Sequence, residues 1–334
     1  MAANGSAYFG HTVKFKITCD TAECQCSGTA AAGYAEAAIR ICSAIIDDPK
    51  TSDQSHADAF VNRALARNFQ RRYEDAVDDA TQGLAIYFKQ NDTSAMAGAY
   101  YRRAQAYVQM NDDKDADDDF TAAIADSSQN MNFPFERGTA YLLDGKSDLA
   151  YADFQKIIDS AGPQKIPSGN IAVTFTNTGS KGYFGRGAVF FFAAQYDQAA
   201  KDFAKALALE PSGTQAAFWL HYTRLRQGDD DSAELAANTA HLDANSREWR
   251  IAQLFAGKLG LADIPRDSIA PDGRVVSDGA CEASLAEAEW TSFTKHDDAA
   301  AKPLYQGVVS DCPRSFDVLL AQSMLRRIAA NLPR

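Results

Sequence analysis

YFGRGAVFFFAAQYDQAAKDFAKALALEP, Tyr183 to Pro211, is the stretch that decides the fold. Small residues stand at Gly187, Ala199 and Ala206, aromatics at Phe190 and Phe203, a polar break at Gln195 and a proline at Pro211. Read at helical period, this is two helices joined by a short turn, with small side chains where the helices meet and bulky ones filling the gaps beside them. One such hairpin cannot bury its apolar face alone, so the pattern should recur along the chain.

It recurs. Numbered 1 to 34 from Ser180, the template fits from Ala57 (Phe60, Ala64, Tyr73, Ala76), from Ala97 (Tyr100, Ala104, Tyr107, Ala116, Phe120, Ala123) and from Met131 (Gly138, Tyr141, Gly145, Ala150, Phe154). Weaker copies start at Thr214, with Gly228 and Ala233, and at Glu282, with Trp290, Ala301, Tyr305, Val308 and Pro313. Tyr34 to Pro49 matches the second helix alone, as a half copy that opens the array. This order of residues resembles the tetratricopeptide repeat (TPR) family. The resemblance implies an all-α, right-handed solenoid of helical hairpins from about Tyr34, less regular beyond Pro211.

The expected organisation is a cysteine-containing segment over 1–33, the array over 34–213, a degenerate hairpin over 214–260, a linker over 261–279 and a terminal hairpin with a capping helix over 280–334. Six extra residues separate the copies at 57 and 97, around Lys89 to Met96. A longer insert, 159–179, contains the alternating run Ile171 to Phe175, and Val13 to Thr18 alternates in the same way. Alternation predicts strands, either as a small β-hairpin or as a pairing between the two runs. Ser315 to Leu332 reads as an amphipathic helix with Phe316, Leu319, Leu320, Met324, Leu325 and Ile328 on one side, suited to covering the end of a solenoid.

The chain has 334 residues, 46% hydrophobic, with a net charge of −11 and a pI near 4.9. That charge argues against nucleic acid as a partner. No apolar run is long enough for a transmembrane helix. The start shows no basic, then apolar, leader, so no signal peptide is visible: either the start is truncated or processed, or the protein stays inside.

No cofactor, metal or catalytic constellation is expected. His11, His56, His221, His241 and His296 lack ligand spacing; His296 falls at a turn between helices and His221 replaces a small packing residue. Gly182 to Gly187 is glycine-rich, but it begins a repeat helix and follows no strand. The acidic run Asp112, Asp113, Asp115, Asp117, Asp118 and Asp119 lacks the Gly and Glu of a calcium loop. In register it lies at the interhelical turn and the first turn of a second helix, where acidic residues suit the helix dipole.

Two cysteine segments are more specific. WLHYTRLRQGDDDSAELAANTAHLD from Trp219, then CEASLAEAEWTSFTKHDDAAAKPLYQGVVSDCP from Cys281, with CSGTAAAGYAEAAIRIC from Cys26, resemble the bacterial NlpI-like TPR proteins of the cell envelope. The resemblance implies an exported adaptor that gathers other envelope proteins. Cys281 lies just before a first helix and Cys312 at the end of the antiparallel second helix, so their Cα atoms return to within about 6 Å, in bonding range. Cys26 with Cys42 is a second pair. Both imply an oxidising compartment, so the cysteine pairs and the resemblance favour a periplasmic or exported protein, with the cytoplasm as the alternative because no signal peptide is present.

Two further patterns follow from the register. Position 7 is Arg63, Arg103, Arg137 and Arg186, and position 23 is Asp79, Asp119, Asp153 and Asp202, which predicts a structural ion-pair ladder between first and second helices. The concave groove of TPR proteins is lined from the first helices. Here its lining is Val61, Leu65, Phe69, Tyr101, Gln105, Phe135, Leu142, Phe184, Phe191 and Phe192. It lacks the Lys and Asn set with which chaperone-type repeats clamp a terminal carboxylate: Val61, Leu65 and Glu136 stand near those places. The expected function is a non-enzymatic scaffold that holds apolar or amphipathic segments of partner proteins or peptides. Alternatives are a homo-oligomer whose groove is filled by its own segments, and an enzyme subunit.

Overall fold

In a computed structural model, residues 3–5, 13–15, 21–31, 33–127, 130–161, 178–266 and 279–332 are described. Among the described residues the fold is all-α apart from two three-residue strands. β1 (Ala3–Gly5) and β2 (Val13–Phe15) pair antiparallel, Asn4 opposite Lys14. Val13–Phe15 is thus a strand, but its partner is Ala3–Gly5; Ile171 to Phe175 lies outside the described residues.

Sixteen α-helices follow among the described residues, and the contacts divide the chain into two units, one holding Met1–Ala140 and the other Tyr141–Asp267 with Asp278–Arg334. The first unit carries α1 (Ala22–Ala31), α2 (Ala35–Asp47), α3 (Asp53–Phe69), α4 (Tyr73–Gln90), α5 (Thr93–Met110), α6 (Asp113–Asp126) and most of α7 (Asn132–Leu143). The second carries α8 (Ser147–Ser160), α9 (Thr178–Phe192), α10 (Tyr196–Leu209), α11 (Thr214–Gln227), α12 (Ser232–Asn238), α13 (Arg247–Phe255), α14 (Gly279–Glu289), α15 (Asp298–Asp311) and α16 (Phe316–Ala329).

One backbone feature fixes the repeat register. Arg71, Asn111, Gly145, Ala194, Gly228 and His296 all have φ between 56° and 76°, and all six stand at repeat position 15. A left-handed residue there ends the first helix of a hairpin (the A helix) and turns the chain into the second (the B helix). Gly33, φ 79°, is the same residue of an earlier copy counted from position 19 of the chain. The opening copy is therefore not a half repeat. α1 is its A helix, hidden in the sequence because Ala22–Ala31 has no sided pattern of apolar residues.

The extra residues before Ala97 do not form a loop. α4 has 18 residues where α6 has 14, so part of the insertion adds a turn to a B helix. Asn91, left-handed at φ 55°, then stops α4, and the Asp92 side chain accepts the Ala95 amide to start α5 a turn before position 1.

Small residues form the inner seams. Ala57, Ala64, Ala76, Ala80, Ala99, Ala104, Ala106 and Ala123 have no exposed surface. Glycines do the same work around α9. A Cβ on Gly187 would stand 2.8 Å from the Phe203 ring of α10, and one on Gly182 would stand 2.8 Å from Ile158 of α8. The glycine-rich run is a packing device that lets α9 lie close to both neighbours.

Candidate functional site

Three of the four position-7 arginines have described ion pairs, with one shared geometry. Arg63 donates Nε and Nη2 to the two oxygens of Asp79, both at 2.8 Å. Arg103 does so to Asp119 and Arg186 to Asp202, each at 2.7 and 2.8 Å. These are bidentate pairs joining an A helix to its own B helix. The remaining arginine, Arg137, lies in the first unit and Asp153 in the second, where it is buried.

A third partner had no part in the sequence reading. The free Nη1 of each arginine reaches the preceding B helix: Arg63 to Ser43, Arg103 to Thr81, Arg137 to Thr121 and Arg186 to Gln155, at 2.6 to 3.0 Å. All four acceptors stand at position 25 of the preceding copy. One guanidinium therefore ties three helices. At the copy from Thr214 the positions hold Leu220, Ala236 and, in the preceding copy, Ala204, so all three members are lost together. Burial pushes the Asp119 carboxyl up despite its bonds from Arg103, while those same bonds hold Arg103 more firmly protonated against its own burial. The pair is paid for in desolvation, as expected of a structural contact with little water around it.

Positions 8 and 24 form a second seam, and its chemistry varies. It is Ala64 with Ala80, Ala104 with Phe120 and Gly187 with Phe203 in the regular copies. In the first copy it is a disulfide, Cys26–Cys42, with Cα atoms 5.1 Å apart. In the last it is Glu289 with Tyr305, whose hydroxyl donates to Glu289 at 2.8 Å. Arg226 closes a bidentate pair on the same carboxylate at 2.8 and 3.0 Å, with 5% of the Arg226 side chain exposed and none of Glu289. Burial is the largest single influence on the Arg226 pKa and lowers it, but the Glu289 charge, the hydrogen bonds to it and the nearby tyrosines together outweigh it and the net shift is upward. A π-helical turn, Trp290–Thr294, directly follows Glu289. In the copy from Thr214 the position-8 residue is His221, buried, its Nδ1 2.9 Å from Asp231, and its ring 4.4 Å from that of Phe255. The bulk is accommodated where the B helix, α12, is cut to seven residues.

Cys281 and Cys312 form a disulfide with Cα atoms 5.7 Å apart, and Cys24 is disulfide-bonded as well, which the sequence reading left open. His296 takes the left-handed turn before α15. The acidic run starts α6: Asp112 caps it by accepting the Asp115 amide, Lys114 pairs with Asp118 at 2.9 Å, and Asp119 belongs to the ladder.

The expected groove residues separate into two sets. Phe135, Leu142, Phe184 and Phe191 are buried interior side chains, which corrects their expected place on an open lining. Phe184 is met by Phe316 of α16, ring centres 5.6 Å apart, and Phe191 by Trp219 at 5.2 Å and by the Arg226 guanidinium at 4.7 Å. The terminal helix thus packs on the A helices α9 and α14 as well as on α15. Its buried face is Phe316, Val318, Leu320, Ala321 and Met324, so Leu319, Leu325 and Ile328 lie to its side. Val61, Leu65, Phe69, Tyr101 and Gln105, on α3 and α5 of the first unit, are half-buried, as is Phe192 in the second. The Tyr101 ring packs against that of Phe133, centres 5.0 Å apart, while its hydroxyl has polar partners: it accepts from Gln105 at 3.0 Å and donates to Glu136 at 3.4 Å.

A sequence model of the tetratricopeptide repeat matches residues 97–125. No curated protein matches the chain. Among solved structures, the chain is similar to a tetratricopeptide repeat protein from Parabacteroides merdae ATCC 43184, at 12% identity over 87% of this chain and 91% of that one, with a TM-score of 0.51. It is also similar to the apo form of the quorum sensor NprR from B. thuringiensis, at 13% identity over 82% of each chain, with a TM-score of 0.53. At such identities the likeness is one of fold.

Proposed function

We propose that this chain, a tetratricopeptide repeat protein, is a non-enzymatic scaffold that holds apolar or amphipathic segments of partner proteins on the A-helix face of its first unit. The contrast between the units carries the reading. In the second, the chain's own α16 packs on the A helices and meets Phe184. In the first, Val61, Leu65, Phe69, Tyr101 and Gln105 keep accessible surface on α3 and α5. Aromatic and aliphatic anchors among a few polar groups suit a helix or strand laid across them. The disulfides at both ends support an oxidising compartment. With the NlpI-like resemblance, they support an adaptor role in the cell envelope.

A photo-crosslinking amino acid at Gln105, compared with one at the exposed Lys114 on α6, tests this. Crosslinks to a partner from position 105 and none from 114 are expected. The reverse pattern sinks the reading, and crosslinks between two copies of the chain through 105 make the face an oligomer contact instead.

A further inference from the structure

Arg102 and Arg103 are neighbours on α5 and use their guanidinium groups in opposite ways. Arg103 commits its Nε–Nη2 edge to Asp119 and its Nη1 to Thr81. Arg102 makes one side-chain hydrogen bond, from Nη1 to Gln105 Oε1 at 3.1 Å, and lies over the Tyr101 ring, 4.9 Å from its centre. Its Nε and Nη2 meet no acceptor, and no carboxylate lies within ion-pair distance, among the described residues. Glu136 acts on it only through space.

The setting is half-buried and polar at one point. Arg102 is half-buried, and burial pushes its pKa down. On α3, Asn68 donates Nδ2 to the Arg102 carbonyl at 2.9 Å, and its Oδ1 is buried with no partner. Leu65 and Phe69, half-buried, stand on the same helix. Among the described residues a carboxylate stands against each of Arg63, Arg103 and Arg186, yet none against Arg102. A half-buried guanidinium whose bidentate edge meets no protein acceptor among the described residues is complementary to an incoming carboxylate.

We propose that the Nε–Nη2 edge of Arg102 receives an aspartate or glutamate side chain of the bound partner segment, with apolar residues of that segment resting on Leu65, Phe69 and Tyr101. This rests on the scaffold reading and names the ligand chemistry of the same face. The carboxylate is that of an internal side chain and not of a chain terminus.

The test is selection of 12-residue peptides, displayed on phage through their C-terminal ends, against the full chain. Selected sequences are then made as C-terminal amides and titrated against wild type, Arg102→Gln and Arg102→Lys. Peptides sharing an acidic position are expected. Arg102→Gln should weaken them at least tenfold, and Arg102→Lys, which keeps the charge without the fork, should weaken them less. Changing the acidic residue to its amide should cost as much in wild type and little in Arg102→Gln. Thermal melts separate binding from folding: Arg102→Gln should melt no lower than wild type, whereas Arg103→Gln should melt lower. Peptides that lose binding on Tyr101→Ala but ignore Arg102→Gln overturn this inference and leave the scaffold standing. A requirement for a free C-terminal carboxylate, or a large loss of stability in both Arg102 variants, overturns it as well. Selection of no peptide counts against both readings.

Discussion

Arg103 sets its Nε and Nη2 on the two oxygens of Asp119, at 2.7 and 2.8 Å, across the sixteen residues that separate repeat positions 7 and 23. The side chains keep 20% and 7% of their surface exposed. Removing one partner leaves the other charge enclosed, so Arg103→Leu and Asp119→Leu should each cost roughly 3 kcal/mol. The double variant should cost less than the sum, because two apolar groups need no counter-charge. Urea melts of the four proteins check this. Additive losses, or no loss in either single variant, would remove the ladder as a source of rigidity.

The seam at positions 8 and 24 predicts a steric effect. A Cβ on Gly187 would stand 2.8 Å from the Phe203 ring, which is buried and also touches Phe184 and Trp219. Gly187→Ala improves helix propensity by about 1 kcal/mol in an open helix. Here overpacking should win and destabilise by about 1–3 kcal/mol. Phe203→Leu in the same chain should recover part of the loss. A Gly187→Ala protein that melts above wild type would mean that α9 and α10 have space the packing denies.

Cys281 and Cys312 close a loop of 31 residues around α14 and α15, and Cys26 and Cys42 one of 16 around the α1–α2 turn. Unreduced, denatured protein should yield linked peptides for both pairs by mass spectrometry. Closing loops of this size contributes roughly 3 kcal/mol each through the unfolded chain. Cys281→Ser with Cys312→Ser should therefore lower thermal stability by about that amount, and should loosen first the hairpin that holds Glu289 against Arg226. Full reactivity of these four thiols in native protein would refute both bonds.

The readable part of the fold came from residues whose role repeats. Gly187, Ala199, Phe203 and their counterparts gave the hairpins, because steric seams demand the same sizes at the same places. Arg103 and Asp119 were legible as a pair because opposite charges recur at fixed spacing. Thr81 was not, because position 25 holds Ser, Thr or Gln and only their shared acceptor oxygen matters. α1 was missed because its interior side is Cys26 and Ala30, with no apolar stripe. Glu289 and His221 were opaque for a different reason. Each breaks the small-residue rule at position 8 and is satisfied by residues, Arg226 and Asp231, that the rule does not mention. The burial of Phe184 needed the return of α16, a contact between residues far apart in sequence.

The left-handed turn at position 15 allows a reciprocal test of backbone strain. Ala194 adopts φ 56° and Gly228 φ 76° at equivalent places. A side chain in this region costs about 1–2 kcal/mol per residue, from the close approach of Cβ to the carbonyl oxygen. Glycine avoids that cost but loses roughly 0.5–1 kcal/mol more backbone entropy on folding. Ala194→Gly should therefore stabilise the protein by about 0.5–1 kcal/mol. Gly228→Ala should destabilise it by a similar amount, and space is not the cause, since a Cβ there would meet nothing within 4 Å. Thermal melts of both variants should move in opposite directions around wild type. Movement in the same direction would show that something other than the turn, such as the helix ends on either side, governs stability at this position.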